Sequence, residues 1–280
     1  MTVSELLKKG TDLLEKQKIE NARNEARWIF ETVFECSREY IIFNADDIPD
    51  TDKAPVFMEK IVQRANGYPL QYVLGSWDFY GETFRVGEGV LIPRPETELL
   101  VDFALDYLKS KNNPVVFDLC SGTGCIGLSV AKKRPDSKVY LFEKSPDALK
   151  YLNENKNFLI CDNVEIIHGD IFKGFSAFDV PMPDLILSNP PYIESDEIPA
   201  LQSEVLFEPS MALDGGKDGL DFYRAIADLW LKDCRCAVAV ECGEGQANSI
   251  KTLFSDVCAQ TDIITDFNGF ERVVTGTERI

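Results

Sequence analysis

The sequence predicts an α/β fold: a doubly wound, parallel sheet preceded by a small helical bundle and a β-hairpin. Three observations carry this expectation. From residue 114 onward, short apolar runs alternate with helical stretches, the pattern of parallel strands joined by crossover helices. Ahead of them, to about residue 70, apolar residues recur at helical spacing. One strand-like run, 184–188, stops at Asn189-Pro190-Pro191-Tyr192. Two consecutive prolines lack the N–H groups a strand needs, and strand ends are where ligands bind in open α/β sheets. The expected division is a helical domain over 1–75, a hairpin linker over 76–93 and a sheet domain over 94–280.

In the helical part, Val3, Leu6, Leu7, Leu13 and Leu14 mark one face of a first helix. Ala22, Ala26, Ile29 and Val33 mark a second, with Trp28 and Phe30 adding bulk. A third runs from Ala54 to Asn66 and stops at Gly67, with Pro69 just beyond. Trp77, Phe79, Phe84 and Val86 alternate around Gly81, which predicts the hairpin. Arg94, set between Pro93 and Pro95, is held extended. Pro95 and Glu96 then open a helix to about Lys109, with acidic residues at its positive end. This segment reads as a stiff linker into a helix. The strand candidates are Val115–Leu119, Lys138–Glu143, Val164–His168, Asp184–Ser188, Cys236–Glu241, and Val257–Ile264 with Arg272–Thr275.

Composition narrows the function classes. The chain has 280 residues, 45% hydrophobic and 27% charged, as a soluble globular protein has. No apolar run is long enough to span a membrane. The N-terminus, Met1-Thr2-Val3-Ser4-Glu5, leads into an amphipathic helix and lacks a basic region before an apolar block, so no signal peptide is expected. Of eight cysteines, four (Cys36, Cys161, Cys236, Cys258) lie inside apolar runs, which suits buried thiols in a reducing cytoplasm. Cys234-x-Cys236 lacks the spacing and partners of a zinc site, and no metal is expected. The net charge of −18 disfavours a grip on duplex DNA, which draws affinity from Lys and Arg on phosphates. The single histidine, His168, ends a strand and reads as capping or lining it.

The loop after the first strand, Asp118-Leu119-Cys120-Ser121-Gly122-Thr123-Gly124-Cys125-Ile126-Gly127, contains G-x-G-x-x-G between strand and helix, where a nucleotide cofactor meets a helix N-terminus. A dinucleotide site places its first glycine directly after the strand. Here Asp118 holds the strand end, where its carboxylate would repel pyrophosphate but suits a cationic ligand. S-adenosylmethionine carries an ammonium and a sulfonium and no phosphate. Asp118 can serve its amino-acid end, directly or through water. Glu143, ending the next strand, can take both ribose hydroxyls. Asp170, ending the third, can bond the adenine amino group, with Ile171 and Phe172 packing on the base. One such carboxylate is ordinary; three on successive strands favour adenosylmethionine over a dinucleotide.

The Asn189–Tyr192 corner supplies the other half. A planar amide or aromatic amine is a poor nucleophile, because its lone pair is delocalised. Asn189 Oδ1 can accept one of its N–H bonds and the Pro190 carbonyl another, Pro191 stiffens the turn, and the Tyr192 ring offers a flat face. These groups suit a planar NH2, either adenine N6 or a glutamine amide. No early general base is needed, and the gain is positioning plus charge stabilisation.

Together these residues resemble the class I adenosylmethionine-dependent methyltransferases, with their Rossmann-like sheet. More narrowly, Pro69-Leu70-Gln71-Tyr72-Val73-Leu74-Gly75, Leu91-Ile92-Pro93-Arg94-Pro95-Glu96-Thr97-Glu98 and Ser188-Asn189-Pro190-Pro191-Tyr192-Ile193 resemble the HemK/PrmC family. So do Phe207-Glu208-Pro209, Gly215-Gly216-Lys217-Asp218-Gly219-Leu220 and Glu271-Arg272-Val273-Val274. The resemblance implies methylation of the N5 amide of the glutamine in the Gly-Gly-Gln motif of class 1 peptide chain release factors. It implies cofactor contacts from Cys120, Ser121, Gly122, Thr123, Gly124, Glu143, Ile171 and Asn189. It implies that Asn189, Pro190, Pro191 and Tyr192 hold the glutamine and that the helical part helps dock the release factor, with no nucleic acid or membrane partner. The family usually has glycine where this chain has Cys120; if that backbone needs positive φ, cysteine strains it. Three rivals remain: an adenine-N6 methyltransferase of nucleic acid, disfavoured by the acidic balance; a non-catalytic cofactor sensor, disfavoured by the intact corner; and a nicotinamide oxidoreductase, disfavoured by Asp118 and the corner.

Overall fold

The computed structural model describes residues 1–277. The chain forms two compact units: Met1–Ser76 with Gln202–Phe207, and Trp77–Leu201 with the chain from Glu208 onward.

The first unit is helical, with α1 (Val3–Lys16), α2 (Ala22–Phe34), α3 (Arg38–Phe43), α4 (Lys53–Ala65) and α5 (Leu70–Leu74). Thr2 and Glu5 close a capping box on α1, satisfying two N–H groups that the first turn leaves open. Helices α1, α2 and α4 pack on one another through Leu6, Leu14, Ala26, Ile29, Phe30, Phe57 and Ile61, all buried. Leu7, Leu13, Trp28 and Val33 flank this core half-buried. Gly10 lets α4 approach, since a Cβ there would lie 2.8 Å from Phe57 Cζ. Beneath α4, Arg64 donates to Glu25 at 2.6 Å and to Glu204 at 2.9 Å. The short helices α3 and α5 escape sequence periodicity, because each spans barely more than a turn.

The second unit opens with the expected hairpin, β1 (Ser76–Phe79) and β2 (Glu82–Arg85). It is tied down by Tyr80 N–H to Glu98 (2.7 Å) and Arg85 N–H to Asn155 (2.6 Å). A 3-10 turn at Pro95–Thr97 leads into α6 (Glu98–Tyr107). Then β3 (Val115–Leu119), α7 (Cys125–Lys133), β4 (Lys138–Glu143), α8 (Pro146–Leu159), β5 (Val164–His168) and β6 (Leu185–Ser188) follow. Helix α9 (Asp221–Ile226) runs through a π turn at Ala227–Leu231 into α10 (Lys232–Cys234). Strand β7 (Ala237–Glu241), α11 (Ala247–Ser255), β8 (Gln260–Thr265) and β9 (Glu271–Thr277) complete it.

The seven-stranded sheet has the order β5-β4-β3-β6-β7-β9-β8. Strands β3 to β7 pair in parallel, but β9 is antiparallel to both β7 and β8. A wholly parallel sheet is therefore corrected at one edge. The few residues between β8 and β9 permit only a hairpin return, because a parallel return needs a crossover of a dozen residues or more.

Strand periodicity sorts the side chains. Val116, Leu185, Leu187, Ala237 and Ala239 enter one core, with Leu100, Val101 and Ala104 of α6 and Leu128 of α7. Phe117, Leu119, Ile186, Val238 and Val240 enter the other, around the fully buried Trp230. Asp118, Asn189 and Glu241 continue the first alternation and so point to the face covered by α6 and α7. Among the described residues, no helix is long and apolar enough to cross a membrane.

Candidate active site

At the carboxyl ends of β3, β4, β5 and β6 lies a cleft of about 980 Å³ including its open mouth. Its floor is the glycine loop. Cys120 has φ +63°, Gly122 +55° and Gly124 +82°. The positive φ expected at Cys120 is therefore present, in a region that L side chains enter at a cost. Gly124 caps α7 in the left-handed conformation, and Gly127 on its first turn faces Asp118 with no room for a side chain: a Cβ there would lie 2.2 Å from Leu141 Cδ2.

The three strand-end carboxylates meet different fates. Asp118 is fully buried beneath the loop, where its Oδ2 accepts Gly127 N–H at 2.9 Å. Its Oδ1 has no partner among the described residues. Burial pushes its carboxyl up to about 7, the Gly127 N–H opposing and Glu143 adding to the rise. It is not part of the cleft wall; its direct bond is to α7, which it fixes under the loop.

Glu143 does line the cleft. Its Oε1 accepts N–H bonds from Lys144 (2.8 Å) and Ser145 (2.7 Å), and its Oε2 accepts Gly122 N–H at 2.8 Å. A carboxylate oxygen offers about two acceptor positions. Oε2 thus takes one ligand hydroxyl without loss, whereas a second, on Oε1, competes with the loop's own N–H groups. Asp170 lines the wall, paired with Lys144 Nζ at 2.8 Å and capping Phe172 N–H at 3.0 Å. Burial raises its carboxyl, but Lys144 and the Phe172 N–H outweigh that, leaving it below the usual range. Buried Ile171 and half-exposed Phe172 add apolar wall, and Phe222 stands edge-on to Phe172 at 4.9 Å.

Of the corner, Asn189 and Pro191 face the cleft, whereas Pro190 and Tyr192 are not part of its wall. Asn189 Nδ2 donates to Thr97 Oγ1 at 3.2 Å, while Asn189 Oδ1 is buried without a partner among the described residues. An unpaired buried carbonyl oxygen is costly, and this one belongs to a residue that lines the cleft. Tyr192 is half-buried; burial, then the charges of Glu241 and Glu96, push its hydroxyl upward. The corner is clamped from behind. Gln246 Nε2 donates to the Tyr192 carbonyl at 2.8 Å, Ile193 N–H donates to the Leu213 carbonyl at 2.9 Å, and the Ile193 carbonyl accepts Gly215 N–H at 2.8 Å. Gly215 is obligatory there, since a Cβ would fall 2.7 Å from Tyr192 Cα.

Three residues that sequence reasoning missed complete the site. Glu208, nearly fully buried, accepts Ile92 N–H at 3.0 Å and pairs with Arg94, bracing the Leu91–Arg94 wall. The linker reading of that segment therefore understates it, because Leu91 to Arg94 and Thr97 all line the cleft. Thr97 Oγ1 donates to Glu241 Oε2 at 2.5 Å. The signals were present as Pro93-Arg94-Pro95 and Phe207-Glu208-Pro209, but no local rule joins segments so far apart. His168 is exposed, its Nε2 3.2 Å from the Lys144 carbonyl oxygen, as a strand-end residue. Among the described residues, no cysteine forms a disulfide.

The arrangement fits adenosylmethionine: Glu143 and Asp170 line the pocket, the loop glycines allow close backbone approach, and the Asn189 amide oxygen stands ready for an N–H donor. Comparison with known proteins agrees. Residues 5–75 match the family model described as PrmC N-terminal domain, and residues 97–216 match the Methyltransferase small domain. Among solved structures, the hMettl16 catalytic domain aligns with a TM-score of 0.58 at 11% identity, covering 81% of this chain and 80% of that one. A T. Thermophilus 16S rRNA N2 methyltransferase aligns at 0.52 and 16%, covering 73% and 50%. At these identities both show the fold alone. A release factor glutamine methyltransferase of Thermodesulfovibrio yellowstonii is 37% identical over 80% of this chain and 81% of its own. One from Clostridium acetobutylicum is 33% identical over 98% of both chains. With full-length similarity at that level, the chain belongs to the release factor glutamine methyltransferase family.

Proposed function

We propose that the protein transfers a methyl group from S-adenosylmethionine to the side-chain N5 amide of the glutamine in the Gly-Gly-Gln motif of class 1 peptide chain release factors. The observation that carries this reading is Asn189: its Nδ2 is tied to Thr97, and its buried Oδ1, on a residue that lines the cleft, has no partner among the described residues. When bound, S-adenosylmethionine supplies an electrophilic methyl on a sulfonium. The chain's own residues hold the acceptor. Asn189 Oδ1 takes one amide N–H and the Pro190 carbonyl takes the other, which aims the nitrogen and stabilises the positive charge that develops on it. The Tyr192 ring flanks the planar amide. Cys120 to Thr123 line the cofactor's passage over the loop while Gly124 turns the chain into α7, Glu143 Oε2 takes a ribose hydroxyl, and Asp170, Ile171 and Phe172 frame the adenine. Asp118 acts from below, by fixing α7 under the loop. The proton leaves after or during transfer, so no strong base is required. The product is S-adenosylhomocysteine.

The test offers labelled S-adenosylmethionine with a release factor, with the release factor carrying alanine at the motif glutamine, or with duplex DNA. Label is expected only on the first. Label on DNA and none on the release factor would establish the adenine-N6 reading instead, and binding without transfer would establish a sensor.

A further inference from the structure

We propose that Thr97 and Glu241 are positioning residues for the transfer: a buried carboxylate–hydroxyl–amide relay that fixes Asn189 with Oδ1, rather than Nδ2, presented to the substrate amide. The inference rests on the amide-methylating reading above. Its geometry comes from the sheet. Ser188 of β6 pairs with Val240 of β7, so Asn189 and Glu241 leave adjacent strands side by side. Both point to the face where α6 begins, and Thr97 stands on the turn that opens α6. Thr97 and Glu241 are each 1% exposed. The bonds run Asn189 Nδ2 to Thr97 Oγ1 at 3.2 Å, then Thr97 Oγ1 to Glu241 Oε2 at 2.5 Å.

Proton counting gives the relay its direction. A threonine hydroxyl has one hydrogen. While Glu241 is ionised it can only accept, so the Thr97 hydrogen points to it and the Thr97 lone pairs face Asn189. Asn189 must then offer Nδ2, which leaves Oδ1 for the substrate. With a proton on Oε2, Glu241 donates instead. Thr97 then turns its hydrogen toward Asn189, the amide is drawn to flip, and the cleft is presented with an NH2 that repels the substrate NH2. Glu241 is, with Asp118, one of two buried carboxyls raised into the working range, and it is the one bonded to Thr97. Burial pushes its carboxyl up to about 7, with Thr97 lowering it, Glu96 raising it, and Arg272 and Asn189 lowering it. The other titratable groups facing it are the Cys125 thiol on α7, the Tyr192 hydroxyl on the corner and the Cys242 thiol after β7. The Tyr223 hydroxyl on α9 holds the Glu241 carbonyl at 2.8 Å. Those thiols and hydroxyls are all raised above their ordinary values and stay neutral through this range.

Two readouts test the relay. In methyl transfer to a release factor at pH 8, Thr97→Val should lower kcat by roughly tenfold or more through amide misplacement, with the KM for S-adenosylmethionine unchanged, and Thr97→Ser should restore it. Wild-type kcat should rise with pH through about 7, and Glu241→Gln, which keeps an acceptor but cannot titrate, should lack that rise. The second readout needs no substrate. The Asn189 side-chain NH2 resonance, identified by its loss in Asn189→Ala, should shift with pH in the wild type, shift less in Thr97→Val and be pH-insensitive in Glu241→Gln. Wild-type kcat in Thr97→Val, an equal loss in Thr97→Ser, or a resonance that ignores pH in the wild type would each overturn the relay. If the resonance behaves as expected but the wild type leaves the release factor unmethylated, the relay stands and the substrate assignment fails.

Discussion

Asn189 concentrates the site's chemistry in a single side chain, and its two ends make separable contributions. Oδ1 has no partner among the described residues, so removing it breaks no contact they make. The Nδ2 bond to Thr97 is lost from the fold, a contribution of about 0.5–1.5 kcal/mol. Asn189→Ala should therefore lower kcat by roughly 10²–10³-fold, as loss of one aimed polar group does, while thermal melting moves little. Near-wild-type turnover in that variant would remove Asn189 from the chemistry. Cys120 tests the loop in the opposite sense. At φ +63° it occupies a conformation that suits glycine, at a cost of roughly 1–2 kcal/mol for an L residue. Cys120→Gly should thus be neutral or stabilising, whereas Cys120→Val, branched at Cβ, should destabilise by about 1 kcal/mol or more. Calorimetry of the pair checks the order, and the reverse order would mean that thiol packing dominates over backbone strain. Both residues were legible in the sequence, Asn189 from the rigid corner that follows it and Cys120 from its place in a glycine loop. Thr97 and Glu241 were not. A threonine between two glutamates at a helix start reads as a cap, and a glutamate ending a strand reads as solvated. Only the pairing of β6 with β7 brings them to the amide.

At the scale of elements, strand limits followed the sequence closely, because apolar runs bounded by glycine, proline and charge leave little choice of register. Strands β3, β4 and β5 occupy the expected residues. The antiparallel return of β9 was not legible, since apolar patterning is indifferent to strand direction. Nor was the backing of the corner. Gly215 reads as a loop glycine, but its missing side chain is what lets the Leu213–Gly215 segment lie against Tyr192. Gly215→Ala would put a methyl 2.7 Å from Tyr192 Cα and 2.9 Å from the Pro191 carbonyl oxygen. The backbone must shift, and overpacking of this kind costs about 1–3 kcal/mol. A loss of kcat should accompany that loss of stability, because the displaced atoms belong to the corner itself. A variant with lower stability and full kcat would show that the corner tolerates the shift. In the helical unit, Arg64 makes a comparable wager on burial. Its side chain is 7% exposed and that of Glu25 is 10% exposed. Arg64→Met leaves Glu25 charged and unpaired, which should destabilise by roughly 3–5 kcal/mol. Adding Glu25→Leu should recover most of that loss. Denaturant unfolding of the single and double variants separates the pair's energy from that of an orphaned charge.

For the molecule as a whole, the balance of charge sets how stability responds to pH. Burial lifts Asp118 from an ordinary 3.8, and Glu241 from 4.5, to about 7. In each case the folded protein binds the proton more tightly than the unfolded chain does. The stabilisation is complete below the unfolded value and is lost as pH rises through about 7. Exposed Asp136 and Asp218, each held near 2 by an arginine, work the other way, but only as pH falls below about 4. Between pH 5 and 8 the two buried carboxyls therefore govern the titration, and the melting midpoint should fall across that window. The net charge of −18 pushes in the same direction by self-repulsion, and salt separates the two causes. Exposed charges are largely screened beyond a Debye length of about 10 Å at 0.1 M salt, falling to about 3 Å at 1 M. Two buried carboxyls are screened much less. The fall from pH 5.5 to 8 should shrink in high salt but persist, and Glu241→Gln should remove part of what persists. A midpoint that stays level across this window in high salt would rule out ionisation of the buried pair. If the fall persists, the relay follows a trade between fold and function: the charge on Glu241 that aims Asn189 is the charge the folded protein resists, so turnover should climb with pH over the same interval in which stability declines.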